Sequence, residues 1–273
     1  MGISGVRTLI RSVACAGALA MTMTLAACTT VSTGPSSGAF VERSVTVGGK
    51  AYRYQVFVPA ARHRQGAAPT VLFLHGTGER GSDGEKPTRV GVGPYLRAHA
   101  DVFPAIVVFP QAPDGSDWKG VAAEVAFAAL DAATHEFGGD RERSYLTGLS
   151  MGGYGTWELA LMQPQRFAAL VPVCGGLTAP REDRDLTVTP LRDEADPPVA
   201  LAQRLKHVPV WIFHGAKDDV VPPREARLID AAFRAAGGDA RYTEFPDANH
   251  NSWDPAYSQT PELWTWLFSQ RRK

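Results

Sequence analysis

Gly148-Leu149-Ser150-Met151-Gly152 has the G-x-S-x-G spacing of a nucleophile elbow. The strand-like run Arg143 to Thr147 precedes it and the helix-like run Gly153 to Leu161 follows it, as that motif requires. A serine presented for attack must sit on a tight, strained turn. The residues two places either side must therefore lack a Cβ, so that strand and helix can approach. The hydroxyl then stands clear of the strands, and the backbone N–H of Met151, at the helix start, can meet a developing oxyanion.

Such a serine is weakly acidic, so it needs a histidine to take its proton and a carboxylate to fix that histidine's tautomer. The apolar run Val208 to Phe213 is followed by His214-Gly215-Ala216-Lys217-Asp218-Asp219, which offers two adjacent acids just past a buried strand. Further on, Ala240 to Phe245 leads into Pro246-Asp247-Ala248-Asn249-His250, and His250 is the only histidine after His214. The base is thus His250. Upstream, the apolar strand Thr70 to Leu74 ends in His75-Gly76-Thr77-Gly78, a loop suited to supply a second oxyanion N–H, that of Thr77.

These segments resemble the α/β-hydrolase superfamily of serine esterases. The likeness is to the bacterial phospholipase/carboxylesterase-like, or "predicted peptidase", group related to feruloyl esterases and polyhydroxyalkanoate depolymerases. FLHGTGERG (73–81), VVFPQAP (107–113), YLTGLSMGGYGTWELA (145–160), WIFHGAKDDVVPP (211–223) and FPDANHNSW (245–253) carry the resemblance. It implies an α/β-hydrolase fold: a mostly parallel central sheet, helices on both faces and no large lid domain. It also implies a serine carboxylic-ester hydrolase with the triad Ser150, Asp218 and His250. In the related enzymes the acid lies three residues past the glycine of H-G and three before valine-proline, which selects Asp218 and leaves Asp219 to cap the turn or the next helix. A serine peptidase or polyester depolymerase would use the same triad, and a binding protein without activity is the remaining alternative.

Composition agrees with a single catalytic domain. The chain of 273 residues carries 28 Lys+Arg and 28 Asp+Glu, so no charge imbalance points to nucleic acid. The seven histidines are scattered, without C-x-x-C or H-E-x-x-H spacing, and neither a metal nor another cofactor is expected. The expected partners are a small-molecule or polymeric ester and a membrane, and a monomer is expected.

The membrane enters through the N-terminus. Arg7 and Arg11 precede a short, mostly small and apolar run, Ser12 to Leu25, closed by Leu25-Ala26-Ala27-Cys28. That run is too short to span a bilayer and reads as an export signal. The L-A-A-C ending resembles a bacterial lipoprotein signal, which implies a lipidated Cys28 and a site on the periplasmic or cell-surface side. The other reading is an ordinary secretory signal cleaved near Ala27. Domain boundaries are then a signal over 1–27, a flexible Ser/Thr/Gly-rich tether over 28–40 and a catalytic domain over 41–273. Removing the signal takes two arginines and no acid from a balanced chain, leaving a formal charge of −2. Cys15 leaves with the signal, Cys28 would carry lipid, and Cys174 is expected as a buried, inert thiol.

The elements that must position these groups alternate as in α/β proteins. Val41–Val47 and Tyr52–Val58 read as an antiparallel pair turning at Gly48-Gly49. Thr70–Leu74, Ala105–Phe109, Ser144–Thr147, Phe167–Val173 and Val208–Phe213 read as buried parallel strands. Helical stretches fall near Pro94–Ala100, Val121–Phe137, Tyr154–Met162, Ala200–Lys206, Arg224–Ala236 and Pro261–Ser269. The polar, proline-rich stretch Gly175 to Pro198 reads as a loop at the rim of an open site. Near the oxyanion loop, Arg80 either binds substrate or is a solvated loop charge. Trp118 either walls an acyl or aryl group or packs at a helix start, and Trp253 packs under the histidine loop.

Overall fold

The computed structural model describes residues 1, 2, 36–182 and 184–272. The expected signal, Cys15, the lipidation site Cys28 and most of the tether lie outside the described residues.

Eight strands form one sheet in the order β1-β2-β4-β3-β5-β6-β7-β8. They are β1 (Ala39–Val47), β2 (Lys50–Val58), β3 (Ala68–Leu74), β4 (Ile106–Phe109), β5 (Gly139–Leu149), β6 (Ala169–Val173), β7 (Val210–Gly215) and β8 (Ala240–Phe245). The hairpin β1–β2 turns at Gly48 and Gly49, both at positive φ (55° and 78°), and β2 joins β4 antiparallel. From β4 to β8 every pairing is parallel. Parallel strands are covered on both faces, so their side chains alternate between two apolar layers. In β3, Leu72 and Leu74 enter one layer while Val71 and Phe73 enter the other.

The first layer is covered by α2 (Gly120–Glu136), α3 (Met151–Met162), α4 (Pro197–Leu205) and α5 (Arg224–Ala235), which contribute Leu130, Trp157, Leu201 and Ile229. The second is covered by α1 (Val92–Ala98), α6 (Trp253–Ser258) and α7 (Pro261–Ser269), through Leu96, Tyr257, Leu263 and Leu267. Leu263, Trp264 and Leu267 of α7 thus form a core-facing stripe, with Phe268 packed against it. Helix α5 ends at Gly237 (φ 74°), where Gly238 N–H donates to Phe233 O at 2.8 Å, closing the carbonyl end as a glycine C-cap does. No helix among the described residues is long and apolar enough to cross a membrane.

Three elements differ from the sequence reading. Strand β5 begins at Gly139, well before Ser144, because Gly139 pairs with Ala68 and a register shift then brings Ser144 opposite Thr70. Helix α3 begins at Met151, directly after the elbow serine, despite Gly152, Gly153 and Gly155. Tertiary packing overrides their poor helix propensity: a Cβ on Gly152 would meet Leu74 O at 1.9 Å, and one on Gly155 would meet Trp118 Cβ at 2.6 Å. The stretch 175–198 is a loop, as expected, but it is pinned to the core. Leu177, Leu186, Val188 and Leu191 are buried in the first layer, and Val188 N–H donates to Leu177 O at 2.8 Å.

The glycine contacts make a direct test. Gly152→Ala is expected to destabilise the fold by about 3 kcal/mol or more, since backbone atoms of the sheet cannot yield. Gly78→Ala, with open space around its Cβ position, should stay within about 0.5 kcal/mol of the parent. Denaturant midpoints of the two variants check this.

Candidate active site

The site lies at the carboxyl ends of β3, β5 and β7 and in the loop after β8. Ser150 joins β5 to α3 at φ 53°, ψ −118°, a conformation that costs a non-glycine residue on the order of 1–3 kcal/mol. Its backbone is held on both sides. Its N–H donates to Val173 O at 2.9 Å, with Cys174 Sγ at 3.3 Å, and its carbonyl accepts from Gly153 N–H at 2.8 Å. Ser150 is only 6% exposed.

Three side chains from distant segments converge here. Ser150 Oγ–H donates to His250 Nε2 at 2.9 Å, and His250 Nδ1–H donates to Asp218 Oδ2 at 2.8 Å. Asp218 Oδ1 accepts from the N–H groups of Val220 and Val221, both at 2.9 Å. Buried His214 brings its Nε2 within 3.2 Å of Asp218 Oδ2 while donating from the same atom to Val221 O at 2.8 Å. Burial alone would raise the Asp218 carboxyl, but the hydrogen bonds from His214, His250 and Val221 outweigh it and hold the group well below the usual carboxylate range. The sequence reading used His214 only as a landmark; its side chain grips the acid.

Asp219 behaves otherwise. It is exposed, the N-cap of α5 is Pro223 without a side-chain bond, and the turn is closed by Asp218 itself. The capping role expected for Asp219 is thus corrected: among the described residues its carboxylate makes no hydrogen bond to the turn or to α5, and its neighbour Asp218 already satisfies the turn.

The two backbone N–H groups expected to meet an oxyanion each open a helical turn. Met151 opens α3, and the first N–H groups of a helix have no intrahelical partner. Thr77 opens a short 3-10 turn, Thr77–Glu79. The preceding Gly76 passes so close to the serine that a Cβ there would lie 2.9 Å from Leu149 Cδ1 and 3.6 Å from Ser150 Cβ.

Of the two substrate-binding candidates, Trp118 is buried and Arg80 is taken up by an ion pair. Trp118 is 1% exposed, packs edge-on to the His75 ring at 4.9 Å and donates from Nε1 to His75 O at 3.0 Å. The helix-start reading therefore holds and the wall reading is corrected. Arg80 is ion-paired with Asp117, which occupies its charge. The cation that reaches the oxyanion loop is Arg184, which donates to Thr77 Oγ1 and which the sequence reading passed over in a charge-rich loop. Trp253 sets its ring perpendicular to His250 at 5.6 Å, as expected.

Cys174 Sγ, an Asp218 oxygen and a His250 nitrogen lie within 4.8 Å of one another. Burial pushes the Cys174 thiol far up, so it stays protonated, and hydrogen bonds already engage the other two. This is a poor ligand set for a metal and a good set for proton transfer.

His75 ties the oxyanion loop to the strand beneath it. Ala112 N–H can only donate, and it does so to His75 Nε2 at 3.0 Å, so the ring proton sits on Nδ1 and bonds Gly76 O at 2.6 Å. Burial lowers this histidine from 6.5 to about 4. The unfolded chain takes up a proton below about 6.5 that the folded chain refuses until about 4. Stability should therefore fall as pH drops through that window, with Asp218 adding to the fall only toward the acid end, where the unfolded carboxyl begins to protonate and the folded one does not. Denaturant midpoints at fixed ionic strength should decline less steeply between these pH values in His75→Gln than in the parent.

The prolyl oligopeptidase family model (Peptidase_S9) matches residues 115–270, which contain Ser150, Asp218 and His250. The crystal structure of a thermostable esterase superposes with a TM-score of 0.71 at 31% identity, covering 85% of this chain and 63% of that one. An Escherichia coli K12 protein provisionally named a carboxymethylenebutenolidase is 34% identical over 113 residues, 41% of this chain and 38% of its own length. An uncharacterized secreted protein of Arthroderma benhamiae is 26% identical over 206 residues, 67% of this chain and 21% of its own. The chain thus spans less than two thirds of each of these relatives. The family model covers more than half of the chain, and on that match the chain belongs to the prolyl oligopeptidase family, among the serine hydrolases of the α/β-hydrolase fold.

Proposed function

We propose that this protein is a serine carboxylic-ester hydrolase. One observation carries the reading: the continuous hydrogen-bonded chain Ser150 Oγ, His250, Asp218 at 2.9 and 2.8 Å. Ser150 Oγ attacks the ester carbonyl carbon as its proton passes to His250 Nε2. The Asp218 carboxylate, kept ionised by its donors, stabilises the imidazolium and holds Nδ1–H toward itself. The N–H groups of Met151 and Thr77 receive the oxyanion. Collapse of the tetrahedral intermediate breaks the ester C–O bond, and His250 gives its proton to the leaving alkoxide. Water, deprotonated by His250, then releases the acid from Ser150.

The family's name favours a second reading, a serine peptidase with the same groups, in which His250 protonates an amine. Side-by-side assays on p-nitrophenyl acetate and a peptide anilide separate the two, and the ester is expected to be the better substrate. The substrate lies outside the cytoplasm on the reading that Cys28 is lipidated. The Leu25-Ala26-Ala27-Cys28 sequence and the secreted relative support this.

Ser150→Ala and His250→Ala should each lower kcat by orders of magnitude, with the double variant little worse than either, because a triad acts as a unit. Additive losses would count against the assignment. Asp218→Asn should lose about 10⁴ in kcat through the wrong histidine tautomer, and exposed Asp219→Asn far less. Cys28→Ser should move the protein from the membrane fraction to the soluble exported fraction with activity intact. A variant still bound to membranes would sink the anchor.

A further inference from the structure

Two arginines stand beside the oxyanion loop, and they are differently occupied. Arg80 is paired with the Asp117 carboxylate. Among the described residues the Arg184 side chain meets a neutral hydroxyl, Thr77 Oγ1, and no carboxylate. A guanidinium carries five N–H donors in a planar fork, and one bond to a threonine leaves most of the fork unused.

Arg184 is held in place. It lies in the segment between β6 and α4, two residues before buried Leu186, whose N–H donates to Arg184 O at 2.8 Å. Arg184 N–H in turn donates to Arg181 O at 3.1 Å. Just beyond, Thr189 N–H donates to the Glu158 carboxylate on α3 at 2.6 Å. The charge of Arg184 is also felt at the Tyr154 hydroxyl, one turn of α3 past Ser150.

The acids around this mouth are already met. Asp218 has the donors described above. Glu225 accepts from Leu177 N–H at 2.7 Å, from Thr178 N–H at 3.2 Å and from the Thr178 hydroxyl. Glu79 sits half-buried behind Gly76, and burial raises its carboxyl.

On the reading that Ser150 is an esterase nucleophile, we infer that Arg184 is a specificity residue that selects esters whose acyl part carries a second, ionised carboxylate. An oxyanion on Thr77 N–H, the threonine's own N-to-Oγ1 span and the bond to Arg184 are three steps of about 3 Å each. The guanidinium thus lies within about 9 Å of the oxyanion, the reach of a four- or five-carbon diacid half-ester. A carboxylate there meets the planar fork in the geometry it favours, and the partial burial of Arg184 limits screening.

The test compares methyl butyrate with monomethyl succinate, acyl chains of equal length that differ in the terminal charge, assayed by pH-stat at low and high salt. The parent is expected to favour the succinate half-ester in kcat/KM. That ratio should fall about 10- to 100-fold in Arg184→Gln, fall less in Arg184→Lys, and shrink with added salt. A parent that prefers butyrate, or that treats both alike, overturns the inference. So does an Arg184→Gln variant that loses both esters by one factor, which is what mere support of Thr77 would give. If neither ester is hydrolysed yet a fluorophosphonate labels Ser150, the inference fails while the nucleophile stands. If Ser150 is not labelled either, it is the esterase reading that fails.

Discussion

A serine at φ 53° is the constraint from which most of this molecule follows. The conformation is uphill for a residue with a Cβ, so it persists only where its surroundings leave no alternative. Strand β5 arrives paired on both sides, to β3 and β6, which fixes the entry direction. Helix α3 leaves at once, and its first turn passes so close to β3 that only glycine fits at 152. Gly148 answers from the strand side, where a Cβ would meet Gly152 O at 2.2 Å. Strand, turn and helix therefore form one rigid unit, and the strain of the elbow is offset by the packing of two layers. Cys174, at the end of the neighbouring strand β6, is also left-handed at φ 42° and lies beside the serine N–H. The second strained residue lets the backbone after Val173 turn away while keeping its sulfur against the first.

The second dependence is electrostatic. A carboxylate that is nearly shielded from water is costly unless its oxygens are filled. Asp218 receives two backbone N–H groups on Oδ1 and two imidazoles at Oδ2. Each of those donors comes from the β7–α5 turn, from β7 itself or from the loop after β8. Their approach is set by a glycine, since a Cβ on Gly215 would meet Asn249 O at 2.1 Å. The acid and base loops are thus pressed together by the end of β7, and the His250 ring is steadied from the other side by Trp253. On the proposed reading, proton transfer from serine to histidine would meet a fixed negative charge that need not reorganise.

How much of this the sequence revealed depends on how far each contact reaches along the chain. The elbow was legible because glycine, serine and glycine at that spacing answer a local steric demand. His250 was legible from its position past a strand, whereas position narrowed the acid to Asp218 or Asp219 and the choice between them came from the resemblance. The β1–β2 hairpin and the glycine end of α5 follow equally local rules. What was missed depends on distant partners. Trp118 looked free until Gly155, 37 residues on, made room for its ring, and Arg80 looked available until Asp117 took its charge. Helix α6 has only six residues, one of them Pro255, and no periodicity can show in so short a run. In the loop 175–198, four apolar anchors are spread among charges, so composition read as solvent-exposed what the fold holds to its core.

The same contrast separates chemistry from selectivity. Ser150, Asp218 and His250 stand at or just past strand ends, where register leaves little freedom. The groups that could judge a substrate, Arg184 foremost, come from an irregular segment that the sheet does not specify. Such a segment can change without disturbing the strands beneath it, provided its few apolar anchors remain. Here those anchors are Leu177, Leu186, Val188 and Leu191, and they pack on the layer that contains α3. The helix that begins at the nucleophile therefore also seats the loop that brings a cation to the oxyanion side. One packed layer thus supports both the serine and the arginine, which on the proposed reading would fix the distance between the reacting carbonyl and the selecting charge.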